Sequence, residues 1–251
     1  MIRQSFYMRT ITTKQIKERF NNHQKLHRFE VDKLFENVKH KPFTEMQYRY
    51  LEIGIRHQFI YDIETSSFDP ESNFIICYCG ILRDIVTEEI EHVQDSITKQ
   101  DIKKAVGQST FDFDARLLET LSHNMHQAHH VIGHYSTKFD NPYFRSRCLL
   151  TKQEKLIPYY GYQFYGDTWR MMKTTMKAKR NTLRNFIIQT TGNDEKTFVD
   201  LKYWYIAHFK DHKLWNKSMS YIINHCVLDV KMTYNGLRKA ELFNNVGRAK
   251  A

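Results

Sequence analysis

The stretch Phe59-Ile60-Tyr61-Asp62-Ile63-Glu64-Thr65 decides the fold. Its β-branched and aromatic residues predict a short buried strand that ends near Thr65. Asp62 and Glu64 are two residues apart, so on a strand both carboxylates project from the same face. Two buried like charges are unfavourable unless a cation lies between them, and oxygen ligands of this kind suit Mg²⁺ or Mn²⁺. The alternative is an edge strand on which both acids are solvated.

The length and composition of the chain narrow the class of protein. Its 251 residues can form one large domain, alone or with an extension. No stretch approaches the roughly 20 apolar residues of a membrane helix, and the N-terminus has no apolar signal core. Four cysteines in a chain of this length do not form a disulfide framework. We therefore expect a cytoplasmic protein in a reducing environment, without a membrane partner.

Charge is distributed unevenly along the chain. The net charge is +10, yet residues 61–144 carry 6 Lys and Arg against 14 Asp and Glu, whereas residues 145–220 carry 15 against 6. The acidic block, residues 61–144, can bind metal ions, and the basic block, residues 145–220, can bind a polyanion. The alternative is an ordinary solvated surface that has no such partner.

The order of the predicted elements indicates an α/β fold with a mixed sheet covered by helices. Residues 1–57 are predicted to form a helical extension, and residues 58–251 the main domain. The predicted strands, in chain order, are 58–64, 74–82, 85–93, 130–135 and 164–167. The first three form an antiparallel meander, and a helix from Asp112 to Ala128 precedes the fourth. Further helices are predicted after Asn141, over 181–189 and from Ser218 to about Phe243.

Three other places carry polar residues that fit a site at the end of the first strand. Asp140 lies between the fourth strand and the next helix. His225 and Asp229 are four residues apart, so on the last helix they share a face one turn apart. Asp167 ends the fifth strand.

Three of these places resemble the motifs of a known family, the DEDD superfamily of 3′–5′ exonucleases. The matching stretches are Asp62-Ile63-Glu64, Phe139-Asp140-Asn141-Pro142-Tyr143 and His225-x₃-Asp229. The resemblance covers about residues 58–240 and is nearest to the proofreading domains of family-B DNA polymerases and their stand-alone relatives. It implies a ribonuclease H-like fold, with a mixed five-stranded sheet flanked by helices and an N-terminal helical extension outside the resemblance.

The resemblance also implies an activity, namely metal-dependent 3′–5′ exonucleolytic hydrolysis of phosphodiester bonds by a two-metal mechanism. The implied cofactors are two divalent cations, Mg²⁺ or Mn²⁺. Asp62 would bridge both ions, Glu64 would orient the attacking water, and Asp140 and Asp229 would each hold one ion. His225 would accept a proton from the water, a role that suits its unperturbed pKa of about 6.5.

The third motif departs from the family pattern. The tyrosine subclass has Tyr four residues before the Asp, and the histidine subclass has His five residues before it. This chain has His225 four residues before Asp229 and Asn224 five residues before it. The sequence favours His225 as the residue that faces the site, with Asn224 as the alternative if the helix register differs by one. The second motif departs too, because Tyr135 and His134 stand where the family often has Asn.

Basic and aromatic residues are candidates for binding the substrate. Phe68 is predicted to stack on the terminal bases or to wedge them apart. The basic residues predicted to follow the phosphate backbone are Lys173, Lys177, Lys179, Arg180 and Arg184. Tyr143, Tyr203 and Trp204 are weaker stacking candidates, for which packing in the core is the favoured interpretation.

The expected substrate is single-stranded nucleic acid, with DNA favoured over RNA because of the polymerase-like resemblance. A 3′–5′ exoribonuclease and a non-catalytic nucleic-acid-binding module on the same fold are the alternatives. Any role in proofreading would require a separate polymerase or replication protein as partner.

A histidine-rich tract carries a different prediction. His123, His126, His129, His130 and His134 are spaced in part as on a helix, which is compatible with a transition-metal site. No cysteine or acid nearby completes a tetrahedral set, so we expect these histidines at the surface and at strand edges.

Overall fold

The computed structural model describes residues 12–22, 24–37, 44–159, 161–174, 176–194 and 199–246, with 242–246 described only as helix. A five-stranded sheet with the order β3-β2-β1-β4-β5 forms the centre of this part of the chain. The strands are β1 His57–Thr65, β2 Ile75–Asp84, β3 Ile90–Ser96, β4 His130–Gly133 and β5 Phe164–Asp167. β1 and β2, like β2 and β3, are antiparallel, whereas β4 is parallel to both β1 and β5. The predicted mixed α/β sheet is confirmed.

Helices precede, connect and follow the strands. The described helices are α1 Thr13–Asn21, α2 Arg28–Leu34, α3 Glu45–Glu52, α4 Lys99–Gly107, α5 Ala115–His126, α6 Asp140–Leu150, α7 Thr168–Thr174, α8 Leu183–Thr191, α9 Lys202–Ile206 and α10 Trp215–Val246. Glu154–Leu156 adds one 3₁₀ turn. The longest helix, α10, packs against β1, β2 and α8. No helix in the described ranges is long and apolar enough to cross a membrane.

Four of the five predicted strands have different bounds in the structure, although those of β1 and β2 differ by only one or two residues at each end. The third was predicted over 85–93, but β3 begins at Ile90 because 85–87 form the turn after β2. Ile85 and Val86 are buried in that turn against the N-terminal helices, so their apolar character marks a core contact and not a strand. The fourth was predicted to reach Tyr135, whereas β4 ends at Gly133.

The described part of the N-terminal region is helical. Thr12 and Thr44 cap α1 and α3, each in a reciprocal capping box with the glutamine three residues later. The helices share a small apolar core formed by Ile16, Phe20, Leu26, Val31, Phe35, Tyr48 and Leu51 together with Ile85 and Val86. Phe29 of α2 is exposed and lies outside this core. The boundary at residue 57 stays a prediction.

The carboxyl end of β1 is where the chain brings its motifs together. The parallel neighbour β4 also ends at this edge, and a tight turn at Gly133 leads from it toward α6. A Cβ at Gly133 would lie 2.5 Å from the Cβ of Ser136 and 3.0 Å from the carbonyl oxygen of Tyr61, so only glycine fits this close approach. α10 also contacts this end of β1, where the Cys226 thiol lies 3.4 Å from the carbonyl oxygen of Asp62.

Candidate active site

A cleft of about 710 Å³ opens at the carboxyl end of β1. It is lined by residues of β1, the loop before α6, α7, the start of α8 and α10. Six of the residues predicted from the sequence line it: Asp62, Glu64, Phe68, Asp140, His225 and Asp229. We refer to this region as the carboxylate cleft.

Asp62 and Glu64 are brought together by the pleat of β1. The strand lies between β2 and β4, so the alternative of an edge strand is wrong. One ligand atom each from Asp62, Glu64 and Cys226 lie within 4.8 Å of one another, and both carboxylates are partly accessible while Cys226 is buried. Two carboxylates at this separation favour a cation between them.

Asp140 is the first residue of α6 and is buried beside β1. Its Oδ1 accepts a hydrogen bond from the backbone N–H of Ile63, at 3.2 Å, which fixes the carboxylate against β1. Burial raises the pKa of Asp140 to about 7, and the negative charge of Asp167 adds to the increase. A cation bound beside Asp140 would stabilise the ionised form of this carboxyl.

Asp167, at the end of β5, holds the loop that leads to Asp140. Its carboxylate accepts hydrogen bonds from the backbone N–H groups of Tyr135 and Trp169, each at 2.9 Å, and from that of Thr137 at 3.1 Å. Tyr135 has a positive φ of 65° and lines the cleft. Asp167 thus positions a strained loop beside the cleft. Its place at a strand end was visible in the sequence, but its hydrogen-bond partners were not.

α10 contributes His225 and Asp229. His225 Nε2 lies 3.8 Å from Asp229 Oδ2 and 4.0 Å from Glu64 Oε1, so the imidazole faces carboxylates from two elements. Asn224 is exposed and does not line the cleft. The helix register therefore places His225, and not Asn224, toward the acids.

Trp204 of α9 was predicted mainly as a core residue, and the structure gives it a second contact. The side chain is largely buried, and its indole N–H donates to Glu64 Oε2 at 3.2 Å. Its ring meets His225 edge-on, with centroids 5.7 Å apart. Trp204 therefore restrains two cleft residues, a role that a local sequence pattern could not reveal.

Two aromatic pairs border the cleft. Phe68 is 88% exposed and lies 5.8 Å from Phe139, centroid to centroid, in a T-shaped arrangement. Tyr135 and Trp169 form the second pair, at 5.3 Å. The Phe68 ring is accessible, and its role in stacking on a base stays a prediction.

The predicted basic residues lie in α7, in the segment after it and at the start of α8. All five are exposed, and none lines the cleft directly. Lys173 lies over the ring of Trp169 at 5.2 Å and is therefore next to the lining. Arg184 is engaged by Asp194, with Nε 2.9 Å from Oδ1, which leaves less of its charge available for phosphate. The role of these residues stays a prediction.

The histidine-rich tract does not form a metal site in the described part of the chain, where the metal-ligand set found is that of Asp62, Glu64 and Cys226. His126 bonds to the carbonyl of Ser122, and His134 lies within hydrogen-bond distance of Thr168 and the carbonyl of Asn181. His130 was expected at the surface or a strand edge but is buried against Gln58.

Comparison with known proteins supports the fold. No family model matches the sequence, and a search of curated proteins finds no similar sequence. Among solved structures, the chain is similar to the family B DNA polymerase from the hyperthermophilic archaeon Pyrobaculum calidifontis, with a TM-score of 0.54 and 13% identity. The similarity covers 74% of this chain and 24% of the polymerase, so the chain spans about a quarter of that protein's length.

The chain thus has an α/β, ribonuclease H-like fold, with a mixed five-stranded sheet flanked by helices. The similarity is to part of a DNA polymerase. At this level of identity it indicates the fold, and the activity has to be argued from the cleft.

Proposed function

We propose that this protein is a metal-dependent 3′–5′ exonuclease that hydrolyses phosphodiester bonds at the ends of single-stranded DNA. The observation that carries the proposal is the convergence of Asp62, Glu64, Asp140, His225 and Asp229 in one open cleft. These residues come from β1, α6 and α10, which are far apart in sequence. Such a set of acids has no evident structural purpose, whereas a two-metal nuclease needs one.

The donor set fits hard divalent cations. Carboxylate oxygens are the ligands that Mg²⁺ and Mn²⁺ prefer, and Asp62, Glu64, Asp140 and Asp229 would hold them. Burial raises the pKa of the Asp140 carboxyl to about 7, and a bound cation would favour its ionised form. When bound, such ions activate water at neutral pH and stabilise the charge that develops on the leaving oxygen.

The remaining cleft residues would handle the water and the substrate. His225 would accept a proton from the attacking water, and Glu64, held by Trp204, would orient that water. The exposed ring of Phe68 would stack on a base near the scissile bond. The five basic residues from Lys173 to Arg184 would attract the phosphate backbone.

The proposal is tested with oligonucleotides of one sequence, prepared as DNA and RNA and labelled at the 5′ or the 3′ end. With Mg²⁺ or Mn²⁺, 5′-labelled single-stranded DNA should shorten stepwise, while 3′-labelled DNA should release its label at once. EDTA and the Asp62→Asn variant serve as controls that should abolish both signals. RNA degraded faster than DNA would identify an exoribonuclease, and intact DNA and RNA under all metal conditions would refute nuclease activity.

A partner follows from the proposal. A proofreading exonuclease of this kind would work beside a separate polymerase or another replication protein. This remains part of the proposal, and an excess of mismatched over matched 3′ ends among the degraded substrates would support it.

A further inference from the structure

A second surface near the same end of the sheet is aromatic and basic. Phe111 and Tyr205 are each 69% exposed, and Phe209 is 50% exposed. With the half-buried His208, these residues form what we call the aromatic surface. Exposed aromatic side chains gathered in this way often mark a binding site, whereas a single exposed ring is ordinary.

The rings of the aromatic surface form a continuous series. Tyr205 and Phe209 lie 5.5 Å apart between centroids, and His208 lies 6.2 Å from Tyr205. His208 meets Phe74 at 5.4 Å. The series continues from Phe74 through Phe113, at 4.9 Å, to the exposed Phe111 at 6.1 Å from Phe113. Buried Phe74 thus anchors exposed rings on both of its sides.

The aromatic surface is joined to the carboxylate cleft. Phe74 directly precedes β2, whose first residue Ile75 pairs with Thr65 at the end of β1. Tyr205 follows Trp204, whose indole donates to Glu64. The surface therefore borders the β2 side of the cleft, whereas Trp169 and Lys173 follow β5, beyond β4 on the other side of β1.

The charge on the α9 side of the aromatic surface is positive. Residues 200–217 contain four lysines, Lys202, Lys210, Lys213 and Lys217, against two aspartates, Asp200 and Asp211, and Lys202 is paired with Asp200. Lysine side chains are depleted in the cores of protein–protein interfaces. Alternation of aromatic and basic residues is instead the pattern of surfaces that bind single-stranded nucleic acid, in which bases stack on rings and cations follow phosphates.

We propose that the aromatic surface binds the single-stranded nucleic acid upstream of the end held in the carboxylate cleft. The inference rests on the proposed function for what happens in the cleft, and it adds a second contact region to the substrate. A strand that enters the cleft would continue over Tyr205 and Phe209 and would be held there by stacking and by Lys210 and Lys213. Longer strands would therefore bind more tightly than short ones.

The test measures binding without cleavage, by fluorescence anisotropy in EDTA, with oligothymidylates of four and twelve nucleotides. A stacked base is worth about five- to 150-fold in affinity when its aromatic partner is replaced by alanine. The double variant Tyr205→Ala/Phe209→Ala should bind the twelve-nucleotide strand at least about tenfold more weakly than the unaltered protein. Its affinity for the four-nucleotide strand, which the cleft alone can hold, should remain unchanged.

Matched variants separate stacking from a general disturbance of the surface. Tyr205→Phe/Phe209→Tyr keeps both rings and should keep the affinity. Tyr159→Ala removes a ring that is 86% exposed but lies outside the aromatic surface, and it should have no effect. Equal affinity of the double alanine variant and the unaltered protein for the twelve-nucleotide strand would overturn the proposal and leave the surface to a protein partner.

Salt dependence supplies a test that leaves the aromatic rings intact. In Lys210→Gln/Lys213→Gln, two phosphate contacts are removed, and each is worth about 0.7 in the slope of log affinity against log salt. The slope for the twelve-nucleotide strand should become shallower by about 1.4. A slope equal to that of the unaltered protein would also overturn the proposal.

The two proposals fail in distinguishable ways. If the exonuclease proposal is wrong, no strand is shortened with any metal, yet the length-dependent loss of affinity in the aromatic variants remains. If the inference about the aromatic surface is wrong, the protein degrades DNA while those variants bind and degrade long strands as the unaltered protein does.

Discussion

Buried charges lie at both ends of β1, and the two ends balance them differently. Near its beginning, Arg83 of β2 is fully buried with Glu241 of α10, Nη1 to Oε1 at 2.9 Å, and also contacts Glu88 at 3.0 Å. Arg238 lies 3.1 Å from Glu88 and 2.7 Å from Glu241. This charge cluster of two arginines and two glutamates is balanced. At the other end of β1, the carboxylate cleft is lined by four acids and by His225, which faces two of them.

This difference in charge balance indicates a different role for each end of β1. A balanced and closed cluster joins β2 to α10 and serves the fold, although its net contribution to stability is offset by desolvation. An open cleft with an excess of negative charge opposes folding, and under the proposed function a bound cation would offset this cost. Removing one charge should therefore have opposite effects on stability at the two ends.

The largest expected effect is on catalysis. Asp62→Asn and Asp229→Asn should each abolish detectable cleavage, since each removes a proposed cation ligand. In EDTA both variants should unfold at the same or a higher temperature than the unaltered protein, because repulsion on the order of 1 kcal/mol is relieved. Cleavage assays and thermal melts measure the two effects. A clear drop in melting temperature in EDTA would mean that these acids stabilise the fold, as the charge cluster does.

The second effect concerns the register of α10. His225→Ala should lower the cleavage rate about 10²- to 10⁴-fold, the usual scale of general acid–base help. Asn224→Ala should change the rate little, because Asn224 points to solvent. Single-turnover rates at saturating metal compare the two variants directly. Equal losses, or a larger loss for Asn224→Ala, would contradict the proposed role of His225.

The third effect tests the charge cluster. Arg83→Met leaves Glu241 buried beside fewer positive charges and should lower the free energy of unfolding by about 3–5 kcal/mol. Denaturant titration measures this loss. The control is Arg184→Met, which removes an exposed pair with Asp194 and should change the free energy of unfolding far less. If Arg83→Met is as mild as the control, the contrast between the two ends of β1 is lost.

The sequence predicted the parts of the fold that local patterns encode. Two acids at the end of an apolar run predicted β1 and its pair of carboxylates, and β5 was predicted with the bounds that the structure has. The missed helix α4 carried a readable signal, since Thr98 caps it and Asp101 completes the capping box three residues later.

Other features depend on contacts between distant residues and leave no local pattern. Arg83 and Glu241 are 158 residues apart, and Trp204 and Glu64 are 140 apart. Ile85 and Val86 were assigned to a strand because apolar character alone does not distinguish a strand from a buried turn. For the cleft, the acids were predicted from the sequence, which left two registers of α10 open. The packing of α10 on β1 decides between them, because it directs His225 toward Glu64 and Asp229.

The smallest expected effect is a pH dependence of stability, which has opposite signs at the two ends of β1. His130 lies near the beginning of β1, where Gln58 Nε2 is 3.2 Å from its Nδ1, and burial lowers the pKa of His130 to about 4. In the unfolded chain the His130 imidazole takes up a proton near pH 6.5, whereas in the folded protein it does so only near pH 4. Acidification from about pH 6.5 to 4 therefore favours the unfolded state, and the native state loses up to about 3 kcal/mol of stability. Asp140 works in the opposite direction, because a carboxyl with a raised pKa takes up its proton first in the folded protein, which gains stability over this range.

Single substitutions separate these opposed contributions. His130→Asn can keep a hydrogen bond to Gln58 and cannot be protonated, so its free energy of unfolding in EDTA should fall less between pH 6.5 and pH 4 than that of the unaltered protein. Asp140→Asn should show the reverse, a steeper fall on acidification, because the stabilising proton uptake is removed. Urea titrations at several pH values give both differences. Parallel curves for His130→Asn and the unaltered protein would show that the His130 imidazole is already charged in the folded state, which would place a positive group at the beginning of β1 beyond the two arginines of the charge cluster.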